Sequence, residues 1–314
     1  MDLRQLRYFV AIVEHGTFSK AAEMLNVAQP ALSLHVRNME EDLGTPLLFR
    51  TRQGVMATEA GEILLRNARL IINQFDVARE EIRGSEREPS GEVRLGLPGT
   101  ISEILSVPLI MNARVRYPKI RLRIAEAMSG FVLDWIREGR VDLAVLYVHV
   151  SDRTLASYPV LAEDLCLLGP TTPIAGYELP KAVTLPLAEI AGLPLILPSG
   201  NHGLRKLLES ASDKRGFELN TIIEVDSYVS IKELVERGIG YSILPVNAVR
   251  REREADRLAT WPISKPELRR SVHLVHPTDR PMTSAVAAIE SLARDTLVEL
   301  VNTRKWGGAL ITLR

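Results

Sequence analysis

Near the start of the chain, Gln29, Ser33, His35 and Arg37, then Arg50 and Arg52, carry amide, hydroxyl, imidazole and guanidinium groups. These are the groups that hydrogen-bond base edges and phosphates. Gln29, Ser33 and Arg37 recur every fourth residue, so a helix presents them on one face, with His35 at its side. Pro30 suits an early helical position, where its missing N–H costs nothing. A second set is Thr100, Ser102, Ser199, His202 and Ser227, with Tyr147 near a predicted hinge. All but Tyr147 fall where a strand pattern gives way to a helical one. A helix N-terminus there offers free N–H groups and the positive end of a dipole, which suits a carboxylate or another small anion. The alternative is that these hydroxyls serve only as N-caps and hold no ligand.

The first set needs a recognition helix held by two others. Leu3, Leu6, Phe9, Val10 and Val13 have helical spacing, and His15-Gly16 ends that helix. Thr17 is the expected N-cap of a short helix through Leu25, and Asn26 suits the tight turn after it. The third helix opens at Gln29-Pro30 and is expected to bury Leu32, Val36, Met39 and Leu43. Two short extended runs, 47–51 and 55–58, flank Arg52-Gln53-Gly54 as a wing that carries Arg50 and Arg52 toward a duplex backbone. The pattern is a winged helix-turn-helix, with the third helix in the major groove of double-stranded DNA. The plain alternative is a three-helix bundle with a solvated polar face.

Residues 1–58 hold six Lys/Arg and six Asp/Glu. Glu40, Glu41 and Asp42 are expected at the far end of the third helix, while Arg37, Arg50 and Arg52 are expected at its working side, clear of them. The expected consequence is modest non-specific affinity and a shallow loss of binding with added salt. A salt titration of binding to unrelated DNA checks this, and a steep slope contradicts it.

Thr58 and Glu59 open a helix predicted to run to about residue 86. Leu64, Ala68, Ile71, Phe75, Ala78 and Ile82 are spaced alternately by four and three, a heptad seam that predicts a dimer. Packing of that seam against its own chain is the alternative. A dimer pairs two recognition helices on a two-fold DNA site. After Pro89-Ser90-Gly91, β-branched runs alternate with helical stretches, which signals an α/β region. The expected domains are 1–57, a linker helix 58–88, a regulatory region 89–302 and a tail 303–314 whose Trp306 has no evident role. The regulatory region divides into a first lobe, about 91–165 and 272–302, and a second, about 166–271.

With 314 residues, two or three domains are expected. Apolar residues make up 46% and charged ones 25%, and no apolar run approaches a bilayer span. Met1 to Gln5 form no signal core, and the single cysteine, Cys166, excludes an intramolecular disulfide; a reducing cytoplasm is the expected location. Cys166 itself reads as a buried hydrophobe near the lobe crossing. Net charge is zero, so any positive field is local. His273 and His276 lie three apart on a predicted strand and face opposite ways, which argues against a shared metal. The chain lacks GxSxG, a Walker lysine and a full dinucleotide glycine fingerprint, so neither an enzyme nor a cofactor is expected. A solute-binding protein fits the C-terminal region but leaves residues 1–88 without a purpose.

Ala28-Gln29-Pro30-Ala31-Leu32-Ser33, Glu40 to Gly44, Leu47 to Arg50, Gly54-Val55 and Thr58-Glu59-Ala60-Gly61 resemble the LysR-type transcriptional regulators. Arg7-Tyr8-Phe9, Leu47-Leu48-Phe49-Arg50-Thr51 and Pro98-Gly99-Thr100 resemble most the nitrogen assimilation control subgroup. The resemblance implies an N-terminal winged helix-turn-helix, a linker helix and an α/β two-lobed regulatory domain like periplasmic binding proteins. It also implies an imperfect palindromic promoter site, contact with RNA polymerase, and a dimer or tetramer. A small organic-acid effector is expected of the family, whereas the nitrogen-control subgroup is thought to act through its abundance. Ala28 stands where most members have Ser or Thr, and Leu48 where Phe is common. No relative's operator sequence therefore transfers.

Overall fold

The computed structural model describes residues 1–51, 54–83, 88–147 and 152–311. The N-terminal region opens with α1 (Leu3–His15), α2 (Phe18–Leu25) and α3 (Gln29–Leu43). Asp2 caps α1 by accepting from the Gln5 N–H, and Thr17 caps α2. Asn26 takes the left-handed conformation at φ 52° in the turn before α3. Leu6, Phe9, Ile12, Leu32, Val36 and Met39 form the shared core. Leu43, expected in that stripe, is exposed at the last turn of α3. Strands β1 (Leu48–Thr51) and β2 (Gly54–Ala57) pair antiparallel as the wing. Gly54 is required here: its φ is +139°, and a Cβ would lie 2.5 Å from the Gly16 carbonyl oxygen. Arg52 and Gln53, at the wing tip, lie outside the described residues.

Helix α4 (Glu59–Arg83) follows, and the last residues of its predicted span lie outside the described ones. The Thr58 hydroxyl accepts from the Gly61 N–H and donates to the Pro46 carbonyl. The seam divides. Ala68, with Leu65, is buried in the core of its own N-terminal region, and Leu64 packs against that core. Farther along, Ile71, Phe75 and Ile82 are exposed in the single chain. The heptad spacing alone does not show that α1 claims the first half of the stripe.

Strand β3 (Gly91–Leu97), α5 (Gly99–Arg116), β4 (Ile120–Glu126), α6 (Ser129–Arg137) and β5 (Leu143–Leu146) begin the regulatory region. Next comes β6 (Leu155–Pro170), sixteen residues long and nearly continuously buried from Val160 onward. The second lobe contains β7 (Leu185–Pro186), α7 (Leu187–Ala191), β8 (Leu195–Leu197), α8 (Gly203–Asp213), β9 (Thr221–Glu224) and α9 (Tyr228–Glu236). Strand β10 (Ser242–Pro245), a short 3-10 turn (Val246–Val249), α10 (Arg250–Glu254) and β11 (Leu258–Ser264) complete it. The chain returns through β12 (Arg269–Pro277), α11 (Ser284–Asn302) and β13 (Ala309–Leu310).

In the first lobe β3 and β4 are parallel, and the strand order is β4-β3-β5-β12-β6. Helices α5 and α11 cover one face of this sheet, and α6 packs on the other. β6 continues into the second lobe, where β10 and β11 pair with it. Thus β6 and the start of β12 carry the chain across both lobes. Their register places Arg270 opposite Glu163 and Arg269 opposite Asp164 at the crossing. Cys166 is buried just beyond, its Sγ 3.6 Å from the Leu244 carbonyl oxygen, and burial pushes the thiol up to about 12.

The tail is structural. Trp306 is fully buried in the first-lobe core, and its indole N–H donates to the Glu163 carboxylate at 3.0 Å. Strand β13 pairs with β6 at Ala162 and Leu161. His273 and His276 take separate partners: His273 meets the Ser157 hydroxyl, and His276 stacks on Tyr158. Among the described residues, no cluster of His, Cys, Asp or Glu could hold a metal, and no helix is long and apolar enough to cross a membrane.

Candidate nucleic-acid interface and inter-lobe cleft

Helix α3 shows solvent a surface of Gln29, Pro30, Leu34, Arg37 and Asn38, with Ser33 half-buried among them. The Gln29 amide donates to the Ser33 hydroxyl at 3.2 Å. Pro30 occupies the first turn and has no N–H, Ala28 makes no side-chain cap, and the Ala31 N–H donates to the Ala28 carbonyl oxygen at 3.0 Å. Two expectations need correction. His35 turns inward: its ring packs edge-on against Tyr8, with centroids 5.1 Å apart, and its buried Nδ1 has no partner. Arg37 is not clear of the acids, since its Nε donates to Glu41 at 2.8 Å one turn on. Glu40 has a structural task, accepting from the Leu47 and Leu48 N–H groups to fix the entry to the wing.

In the wing, the Arg50 guanidinium lies 4.7 Å from the centre of the Phe18 ring, which fixes its stem against α2. Arg52 belongs to the part of the wing outside the described residues. Leu34 and Asn38 were not singled out from sequence. Their place follows from the helical period once Leu32, Val36 and Met39 are buried.

The second site is a cavity of about 650 Å³ between the lobes. Thr100, Tyr147, Ser199 and His202 line it, as expected. Ser102 and Ser227 do not. The Ser102 hydroxyl pairs with that of Ser106 one turn along α5, and Ser227 caps α9 by accepting from the Ser230 N–H. The Thr100 and Tyr147 hydroxyls are 2.8 Å apart. Ser199 donates through its N–H and its hydroxyl to Asp226, tying the end of β8 to that of β9. His202 accepts the Leu204 N–H on Nδ1 and so caps α8 as a neutral ring. Burial, then the Arg270 charge, lowers its pKa.

The residue that sequence reading missed is Arg270. It lines the cavity from β12, is 4% exposed, and its guanidinium lies 3.3 Å from the centre of the Tyr147 ring. Its Nε donates to Glu163, while Nη2 has no partner. Burial alone would lower the arginine pKa, but Glu163, Tyr147 and Tyr228 outweigh it and hold the pKa above its ordinary value. Tyr147, buried behind Thr100, is raised well above a free phenol. The floor of the cleft is therefore a fixed cation with an unmade hydrogen bond. The one sequence signal for it is the pairing of Glu163-Asp164 with Arg269-Arg270, visible only once β6 and β12 are known to be neighbours.

Residues 3–62 match the family model described as bacterial regulatory helix-turn-helix protein, lysR family, and residues 86–298 match the LysR substrate binding domain. The nitrogen assimilation regulatory protein nac of Klebsiella aerogenes is 34% identical over 80% of each chain. Its Escherichia coli K12 counterpart is 30% identical over 98% of this chain and 99% of its own. A full-length structure of an OxyR variant from Pseudomonas aeruginosa superposes with a TM-score of 0.80 at 22% identity, covering 100% of this chain and 99% of that one. That structure shares the helix-turn-helix and two-lobed fold. The exposed polar face of α3, the wing beside it and the two-lobed domain behind α4 thus agree with the matched families: the chain belongs to the LysR family of DNA-binding transcription regulators.

Proposed function

We propose that the chain acts in the cytoplasm as a homo-oligomer, dimer or tetramer, whose paired α3 helices grip an imperfect palindromic promoter site and set transcription through RNA polymerase. Its targets are nitrogen-linked metabolic genes, an assignment that follows the two nac relatives. A small carboxylate-bearing effector in the inter-lobe cleft modulates it, with Arg270 as anchor. The observation that carries the DNA reading is the polar row on α3, Gln29 and Arg37 exposed with Ser33 half-buried between them, and Arg50 on the adjoining wing.

Footprinting on the DNA upstream of its own gene tests the reading. The expected result is protection of two half-sites spaced by whole helical turns, about 34–36 Å or a multiple. A single protected half-site contradicts the pairing, and no retained duplex removes the function. At fixed salt, Arg37→Ala weakens specific binding by about 1–3 kcal/mol, with little change on unrelated DNA. Arg50→Ala weakens both alike, as loss of a phosphate contact does. Gel shifts on the two DNAs separate these outcomes, and equal losses for Arg37→Ala would remove it from base reading.

A further inference from the structure

The floor of the inter-lobe cleft is cationic and its wall is acidic, and that contrast restricts what it can hold. Arg270 is 4% exposed and paired with Glu163, yet its Nη2 has no acceptor. An unmade bond on a buried charged donor is costly, and a carboxylate oxygen is a strong partner for it. Tyr147 under the guanidinium and Tyr228 beside it keep the group in place.

Among the described residues no other Lys or Arg lines the cavity, whereas Glu103, Glu126, Asp134 and Asp226 do. Asp134 leans on Arg137 at 3.4 Å, and Asp226 is held by Ser199. Among the described residues Glu103 and Glu126 make no ion pair. Glu126 stands at the carboxyl end of β4 against the first turn of α5, where a Cβ on Gly99 would lie 2.9 Å from its Oε1. Since Glu163 already balances Arg270, the cleft is acidic overall. A dicarboxylate would answer Nη2 but set its second charge among like charges, which costs affinity. A ligand with one carboxylate and one ammonium group answers both ends.

Resting on the effector reading above, we infer that the cleft takes an amino acid, net neutral or singly cationic, with its carboxylate on Arg270 and its ammonium group toward Glu126.

The test uses the full-length protein and three pools: the neutral and basic protein amino acids; succinate, glutarate and adipate; and putrescine with cadaverine. Thermal shift followed by calorimetry is expected to show binding from the first pool alone. Single members of that pool then identify the ligand. Because Arg270→Met removes the partner of a buried carboxylate and can unfold the lobe, the variant used is Glu126→Gln, at an exposed position. It is expected to weaken the amino acid by about tenfold. Binding of the dicarboxylates alone, or equally well, overturns the amino-acid assignment and leaves the effector cleft standing. Binding of the diamines alone overturns the role of Arg270. Silence from all three pools overturns both readings. Unchanged affinity in Glu126→Gln overturns the ammonium site.

Discussion

Glu163→Ala is expected to destabilise the regulatory region by about 3–5 kcal/mol, the range seen when one partner of a buried ion pair is removed. Glu163 is 1% exposed. It accepts from Arg270 Nε on one oxygen, and from the Trp306 indole and the Asn247 amide on the other, at 3.0 and 3.4 Å. Asn247 in turn holds the Gly307 N–H and carbonyl. Truncation at 163 thus leaves the Arg270 cation without its carboxylate and an indole N–H of the first-lobe core without its acceptor. Glu163→Gln keeps an acceptor and loses only the charge, so its cost is smaller. Urea denaturation of the two variants, followed by circular dichroism, gives the comparison. A change below about 0.5 kcal/mol in Glu163→Ala, within the range of an ordinary surface substitution, would show that the network contributes little.

Phe75→Glu is expected to split the oligomer through α4. Ile71, Phe75 and Ile82 are exposed in the single chain, at 48%, 45% and 86%. Apolar side chains at heptad spacing on a long helix gain by burial against a second copy. A carboxylate at 75 must be desolvated there without a designed partner, at a cost of several kcal/mol per ion. The weakening is about 100-fold or more in dimer affinity. Light scattering on size exclusion should show a loss of mass at unchanged helical content, together with loss of footprint at both half-sites. An unchanged mass would mean that α4 is not where the copies join.

The N-terminal region was legible because each element there is amphipathic and punctuated. Gly16, Thr17, Asn26 and Pro30 mark the boundaries, and the buried stripes Leu6-Phe9 and Leu32-Val36-Met39 have helical spacing. His35 was misplaced because the helical period puts it beside the polar face without showing that Tyr8 of α1 stands there to receive it. The two-lobed plan was legible from the strand–helix alternation, but β6 was not. A strand buried on both faces loses the alternation that marks a half-exposed one, and Pro159 interrupts it further. With β6 unseen, Arg270 reads like its neighbour Arg269, which is 54% exposed at its side chain. Only the facing strand distinguishes them. Ser102 and Ser227 stood at the right helix starts, but each hydroxyl is engaged within its own helix.

A consequence for genetics follows from the C-terminus. A stop codon in place of Lys305 would remove ten of 314 residues. It would take out an indole at the centre of the first lobe and the strand that covers β6. Nonsense alleles at this position are expected to behave as nulls through misfolding.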